Sequence, residues 1–110
     1  RSMSKRIRIV QKYGGTSVGN PDRIRAVARR VKRAYDEGHE IAVVASAMSG
    51  ETNRLLALGR EISANPSPRE LDSLVSTGEQ VSCAMLAMAL QDLGVPAVSL
   101  LGHQVRIQTD

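Results

Sequence analysis

Phenylalanine and tryptophan are absent from this 110-residue sequence, and tyrosine occurs only twice. A core must therefore be built from aliphatic side chains, alanine and methionine. The same absence disfavours nucleic-acid binding by base stacking, which needs aromatic platforms. Cysteine is almost absent too. Cys83 stands alone, which excludes an internal disulfide and fits a reducing, cytoplasmic compartment. It lies within an apolar helical pattern, where a buried thiol is the expected state. His39 and His103 are isolated, so no cluster has metal-ligand spacing. No apolar run reaches the length needed to cross a membrane, and no signal-peptide pattern is visible.

What is present suits one folded domain. Hydrophobic residues make up 42% of the chain, enough for a packed core. The net charge is +4, with eleven acidic residues interspersed among fifteen basic ones. The densest basic stretch runs from Arg23 to Arg33. Its apolar positions Ile24, Val27, Ala28, Val31 and Ala34 recur at helical spacing, which predicts an amphipathic helix with a solvated basic face, a surface for nucleic acid or an acidic partner being the alternative.

Ile7 to Val10 reads as a β-branched strand running into Lys12. Asn20 and Pro21 form a helix start, and Gly38 a natural stop after about Glu37. Ile41 to Ala45 is an unbroken apolar run. It predicts a strand buried on both faces of a parallel sheet with helices on both sides. A second helix enters after Ser49-Gly50, with Thr52 or Asn53 near its start and Leu55, Leu58, Gly59 and Ile62 along one side. Ser67-Pro68-Arg69-Glu70 has the capping-box form. Thr77-Gly78-Glu79-Gln80 has it again and predicts a new helix or a kink. Met85, Met88, Ala89 and Leu93 follow as its apolar series, ending at Gly94. Pro96 to Leu101 reads as a further strand, and the segment from Gly102 to Asp110 as a turn with a short strand. The alternation predicts an α/β fold with a mostly parallel sheet sandwiched by helices.

Chemistry concentrates where the first strand ends, in Gln11-Lys12-Tyr13-Gly14-Gly15-Thr16-Ser17-Val18-Gly19. Ligands of open parallel sheets sit beyond the carboxyl ends of the strands. Gly14 and Gly15 let backbone N–H groups approach an anion, Lys12 adds a positive charge, and Ser17 adds a hydroxyl. The following helix points its positive end to the same region. A plain strand-to-helix turn fits the same residues. The loop matches neither the G-x-x-x-x-G-K-[ST] nor the G-x-G-x-x-G phosphate motif. Two further polar helix entrances, Ser46 to Thr52 and Thr77 to Glu79, read singly as turns and caps. Together with the first loop they suggest one shared cleft.

In order, "VQKYGGTSVG", "VVASAMSGETNRLL" and "LVSTGEQVS" resemble the aspartokinase family within the amino-acid kinase superfamily, over about Ile7 to Asp110. Kinases of acetylglutamate, glutamate or uridylate lack the K-[YF]-G-G-T-S pattern. The resemblance implies a Rossmann-like three-layer domain, of which residues 1–110 are an incomplete N-terminal portion. It implies transfer of the γ-phosphoryl of ATP, with Mg2+, to the β-carboxylate of L-aspartate. The product would be 4-phospho-L-aspartate, in lysine, threonine and methionine biosynthesis. By motif, Lys12 would be catalytic, with Gly14, Gly15 and Ser17 lining the phosphate path. Ser46, Thr52 and Glu79 would hold aspartate, Glu79 facing its ammonium group. The family's catalytic domain is more than twice this length. Its G-R-G-G-S-D region, most nucleotide contacts and its ACT domains are not in these residues, so the 110 residues alone are expected to be inactive. A homo-oligomer is expected, with neither nucleic acid nor membrane as a partner. The competing readings are a sibling amino-acid kinase with another acid substrate, and a non-catalytic truncated paralogue that binds a partner kinase or an anion.

Overall fold

A computed structural model describes residues 8–100 and 104–108. Ile7, Leu101 and Asp110, which bound several of the readings above, lie outside them. The elements are β1 (Arg8–Tyr13), α1 (Pro21–Asp36), β2 (Glu40–Ala45), α2 (Glu51–Ile62), α3 (Pro68–Asp92), β3 (Ala97–Leu100) and β4 (Gln104–Ile107).

The four-stranded sheet has the order β1-β2-β4-β3. β1 and β2 pair in parallel, while β4 runs antiparallel to both β2 and β3. Three strands thus share one direction, and β4 is inserted against them. The sheet is mixed, and the short strand read after Gly102 is its reversed member. The α/β class read from the sequence holds.

Helix boundaries follow local chemistry. The Asn20 side chain accepts from the Arg23 amide at 2.9 Å, with Pro21 at the first helical position. Gly38 and Gly94 take left-handed φ values of 89° and 82° just past α1 and α3. There the His39 amide reaches the Ala34 carbonyl, and the Val95 amide that of Leu90, closing the last turns. Ser67 caps α3 by accepting from the Glu70 amide at 3.2 Å.

The second box does not start a helix. α3 runs unbroken through Thr77-Gly78-Glu79-Gln80. The Thr77 hydroxyl turns back and donates to the Leu74 carbonyl at 2.7 Å, so it caps nothing ahead of it. Nor is the apolar series that follows the buried one. Cys83, Leu86, Ala87 and Leu90 form the buried stripe, while Met88 is 60% exposed and Met85, Ala89 and Leu93 are partly covered. α2 begins at Glu51, directly after Gly50 in a left-handed conformation, with Thr52 near its start as expected.

The core lies between one sheet face and helices α1 and α3. All five apolar positions read for α1 are buried there, with Ile41, Val43 and Ala45 of β2 and Val105 and Ile107 of β4. The opposite face carries Val10, Ala42, Val44, Val98 and Leu100. Val10 is 67% exposed, and Ala42 and Val44 are half-buried. Two-sided burial of the Ile41 to Ala45 run is therefore not supplied by the described residues. α2 lays Leu55 and Gly59 against α3 and leaves Leu58 and Ile62 exposed.

Candidate active site

β1 and β2 end side by side, because Tyr13 pairs with Ala45 and the Ser46 amide donates to the Tyr13 carbonyl at 3.0 Å. Their carboxyl ends therefore open at one edge of the sheet, where ligands of such folds bind. Lys12 is still within β1, one residue before its end, and is exposed. Strand alternation places it with Val10 on the uncovered face, opposite the α1–α3 core.

The glycine loop begins at Gly14. Its carbonyl accepts from the amides of Ser17 at 3.0 Å and Val18 at 3.3 Å, forming a tight turn. Neither Gly14 nor Gly15 has a positive φ, so the turn itself does not demand glycine. The requirement at Gly15 is space. A Cβ there would lie 3.0 Å from the Ala47 carbonyl oxygen and 3.6 Å from the Ser49 nitrogen. The first loop thus rests directly on the loop after β2. The amides of Gly15 and Thr16 donate to no group among the described residues. Arg23 ties the loop to the first turn of α1 by donating to the Thr16 carbonyl at 3.3 Å.

The third stretch reaches the same place. Gly78 is buried in α3, and a Cβ there would lie 2.9 Å from the Ala47 Cβ and 3.3 Å from the Glu51 Cγ. Glu79, the next residue, is half-buried. One turn further on, Cys83 faces the end of β2, where the Ala45 backbone and the Glu79 carboxylate both act on its thiol. Thr52 occupies the first turn of α2, exposed, beside Glu51. Ser46 is exposed immediately after β2.

The fold therefore brings the three polar stretches together around residues 45–52. The side chains of Lys12, Ser17, Ser46, Thr52 and Glu79 make no hydrogen bond or ion pair among the described residues. Glu51 behaves differently. It is paired with Arg54 one turn along α2, and that hydrogen bond holds its carboxyl below the ordinary carboxylate range. Its charge is answered within the helix, by the Arg54 guanidinium. Ala47 and Gly78 are the residues that sequence reasoning passed over. The signal was a glycine between two segments of helical pattern, a position that weakens a continuous helix unless a close contact requires it.

Among the described residues no group of three or more His, Cys, Asp or Glu side chains could hold a metal ion. No described helix is long and apolar enough to cross a membrane.

Residues 8–110 match the Amino acid kinase family. The chain is 65% identical to the aspartate kinase Ask_LysC of Stutzerimonas stutzeri over 102 residues, covering 93% of this chain and 25% of that protein. Among solved structures, aspartate kinase from Synechocystis superposes with a TM-score of 0.82 at 55% identity, over 84% of this chain and 16% of that one. Aspartokinase III of E. coli, in complex with aspartate and ADP in its R-state, does so with a TM-score of 0.66 at 26% identity, over 81% of this chain and 30% of that one. The chain thus spans about a quarter of the length of the curated relatives it matches. With the family matched from the first residue of β1 onward and the fold shared with these kinases, the chain belongs to the amino acid kinase family.

Proposed function

We propose that this chain forms the amino-acid-binding and phosphate-loop portion of an aspartate kinase domain, the whole activity residing in a longer protein. The reaction moves the γ-phosphoryl group of ATP to a β-carboxylate oxygen of L-aspartate. The bond from that phosphorus to the ADP oxygen breaks as the bond to the carboxylate oxygen forms, giving 4-phospho-L-aspartate and ADP. Negative charge spread over the transferring group must be stabilised, and that is most of the catalysis in phosphoryl transfer. The Lys12 ammonium and the free amides of Gly15 and Thr16 suit this task, with Gly14 and Ser17 lining the path. Glu79 suits the substrate ammonium, and the Ser46 and Thr52 hydroxyls its carboxylates.

The observation that supports the reading best is the convergence of Gly15 and Gly78 on Ala47, which brings the glycine loop and the helix segment that carries Glu79 to one strand end. The relatives named aspartate kinase, and the aspartate and ADP held in the E. coli complex, supply the substrate class. Mg2+ belongs to the reading as the companion of the nucleotide phosphates. The described residues do not fit a protein-built cation cage. Homo-oligomer formation belongs to it as well, supported by the exposed apolar side chains of Val10, Val98 and Leu100 on the uncovered, otherwise mixed sheet face.

The test is a hydroxylamine trap for acyl phosphate, run on the reading frame that contains this chain. Mg-ATP is supplied with aspartate, glutamate or N-acetylglutamate. Aspartyl hydroxamate is expected as the dominant product, with none from the 110 residues alone. Preference for another acid, or no product from the folded protein, would overturn the assignment.

A further inference from the structure

Gly78 sits in the interior of α3, where the helix neither stops nor takes a positive φ. Glycine weakens a helix interior relative to alanine, so its presence there needs a reason outside the helix. The surroundings supply one. A Cβ at position 78 would come within 2.9 Å of the Ala47 Cβ, closer than side chains pack, and within 3.3 Å of the Glu51 Cγ and 3.5 Å of the Leu55 Cδ1. The last two atoms belong to side chains that can rotate away. The Ala47 Cβ cannot, because it is fixed to the backbone. At its carbonyl, Ala47 is approached by the Gly15 backbone, where a Cβ would lie 3.0 Å from the Ala47 oxygen. Ala47 is 5% exposed. It is gripped between two glycines, one from each of the other two stretches.

We infer that Gly15, Ala47 and Gly78 form a positioning joint that sets how far the carboxylate of Glu79 stands from the phosphoryl loop. The inference rests on the proposed function for the ligands involved, and on the contacts alone for the joint itself. None of the three touches the reacting atoms through a side chain. Their small size lets α3 and the glycine loop close on the same residue, one at its side chain and the other at its carbonyl. A methyl group at position 78 pushes α3 away from Ala47 and takes Glu79 with it. Aspartate would then be held off its place relative to the phosphoryl group. The phosphate loop, seated through Gly15 rather than Gly78, would stay where it is. The defect should therefore fall on the amino acid and spare the nucleotide.

Size complementation tests this. In the reading frame that contains this chain, Gly78→Ala is expected to raise KM for aspartate about tenfold and to leave KM for ATP within about twofold. Ala47→Gly removes the atom that the new methyl meets. The Ala47→Gly/Gly78→Ala double variant is expected to return KM for aspartate to within about threefold of wild type. Unchanged kinetics in Gly78→Ala, an equal rise in both KM values, or a defect that Ala47→Gly does not relieve would each overturn the joint. If the wild type does not phosphorylate aspartate, the functional proposal fails, and the joint is read from Tm instead. Ala47→Gly is then expected to lower Tm in the wild-type background and raise it in the Gly78→Ala background. Lowering in both would overturn the joint. Should Gly78→Ala not fold, recovery of a folded protein by Ala47→Gly supports the joint, and failure to recover one overturns it.

Discussion

Cys83 shows how a single position is legible and what the structure adds. Its place in an apolar pattern reads as a buried thiol, and it is fully buried. Burial pushes its pKa up; the Ala45 backbone opposes that, and the Glu79 carboxylate adds to it. The unfolded thiol loses its proton near the ordinary value of about 8.5, while the folded one keeps it. Above that pH the unfolded state binds fewer protons, so Cys83 makes folding stability fall as pH rises. Maleimide labelling should accordingly be slow in the native protein at about pH 7.5, where the free thiol is already partly ionised, and fast in denaturant. The alkaline loss of stability should be smaller in Cys83→Ala. Fast native labelling would contradict the enclosed thiol. Gly15 is legible for another reason: a glycine pair at a strand end signals a close approach of backbones, here to the Ala47 carbonyl. Ala47 is not. Nothing in an alanine's own identity reports the two backbones that press on it from distant parts of the chain.

At the scale of elements, α1 is readable down to its buried face because cap, stop and period all agree. α3 departs from its sequence pattern twice. Thr77 to Gln80 has the letters of a capping box, but a hydroxyl in the middle of a helix bonds back to the carbonyl three residues earlier, and local sequence does not separate the two cases. The apolar series of its second half takes in Met88 because alanines and methionines ring that part of the helix. Periodicity there is weak, and the sheet decides which residues are covered. The correction can be checked. Leu90→Ala, at a fully buried position, should cost about 2–5 kcal/mol, whereas Met88→Ala should stay within about 0.5 kcal/mol of wild type in urea unfolding. Equal costs would restore the original face. The reversed strand β4 is hidden for a different reason. Four residues of alternating character in a polar tail carry no directional information, and pairing with β2 and β3 fixes their sense.

At the scale of the molecule, the sheet is covered by α1 and α3 on one face and left open on the other by the described residues. The unbroken apolar run of β2 reads as two-sided burial, and its second side is the one that the described residues leave open. Lys12 projects on that side, whereas Glu79 comes from the helix layer, so the candidate site joins the two faces at the strand ends. That division of labour is the central claim, and one kinetic comparison tests it most directly. In the reading frame that contains this chain, Lys12→Ala should lower kcat about 100- to 1000-fold, with KM for aspartate little changed, because its charge acts on the transferring group. Glu79→Gln should raise KM for aspartate about 10- to 100-fold, as expected for losing a charged partner of the substrate ammonium. A Lys12→Ala enzyme with wild-type kcat, or a Glu79→Gln enzyme with wild-type KM for aspartate, would contradict the account.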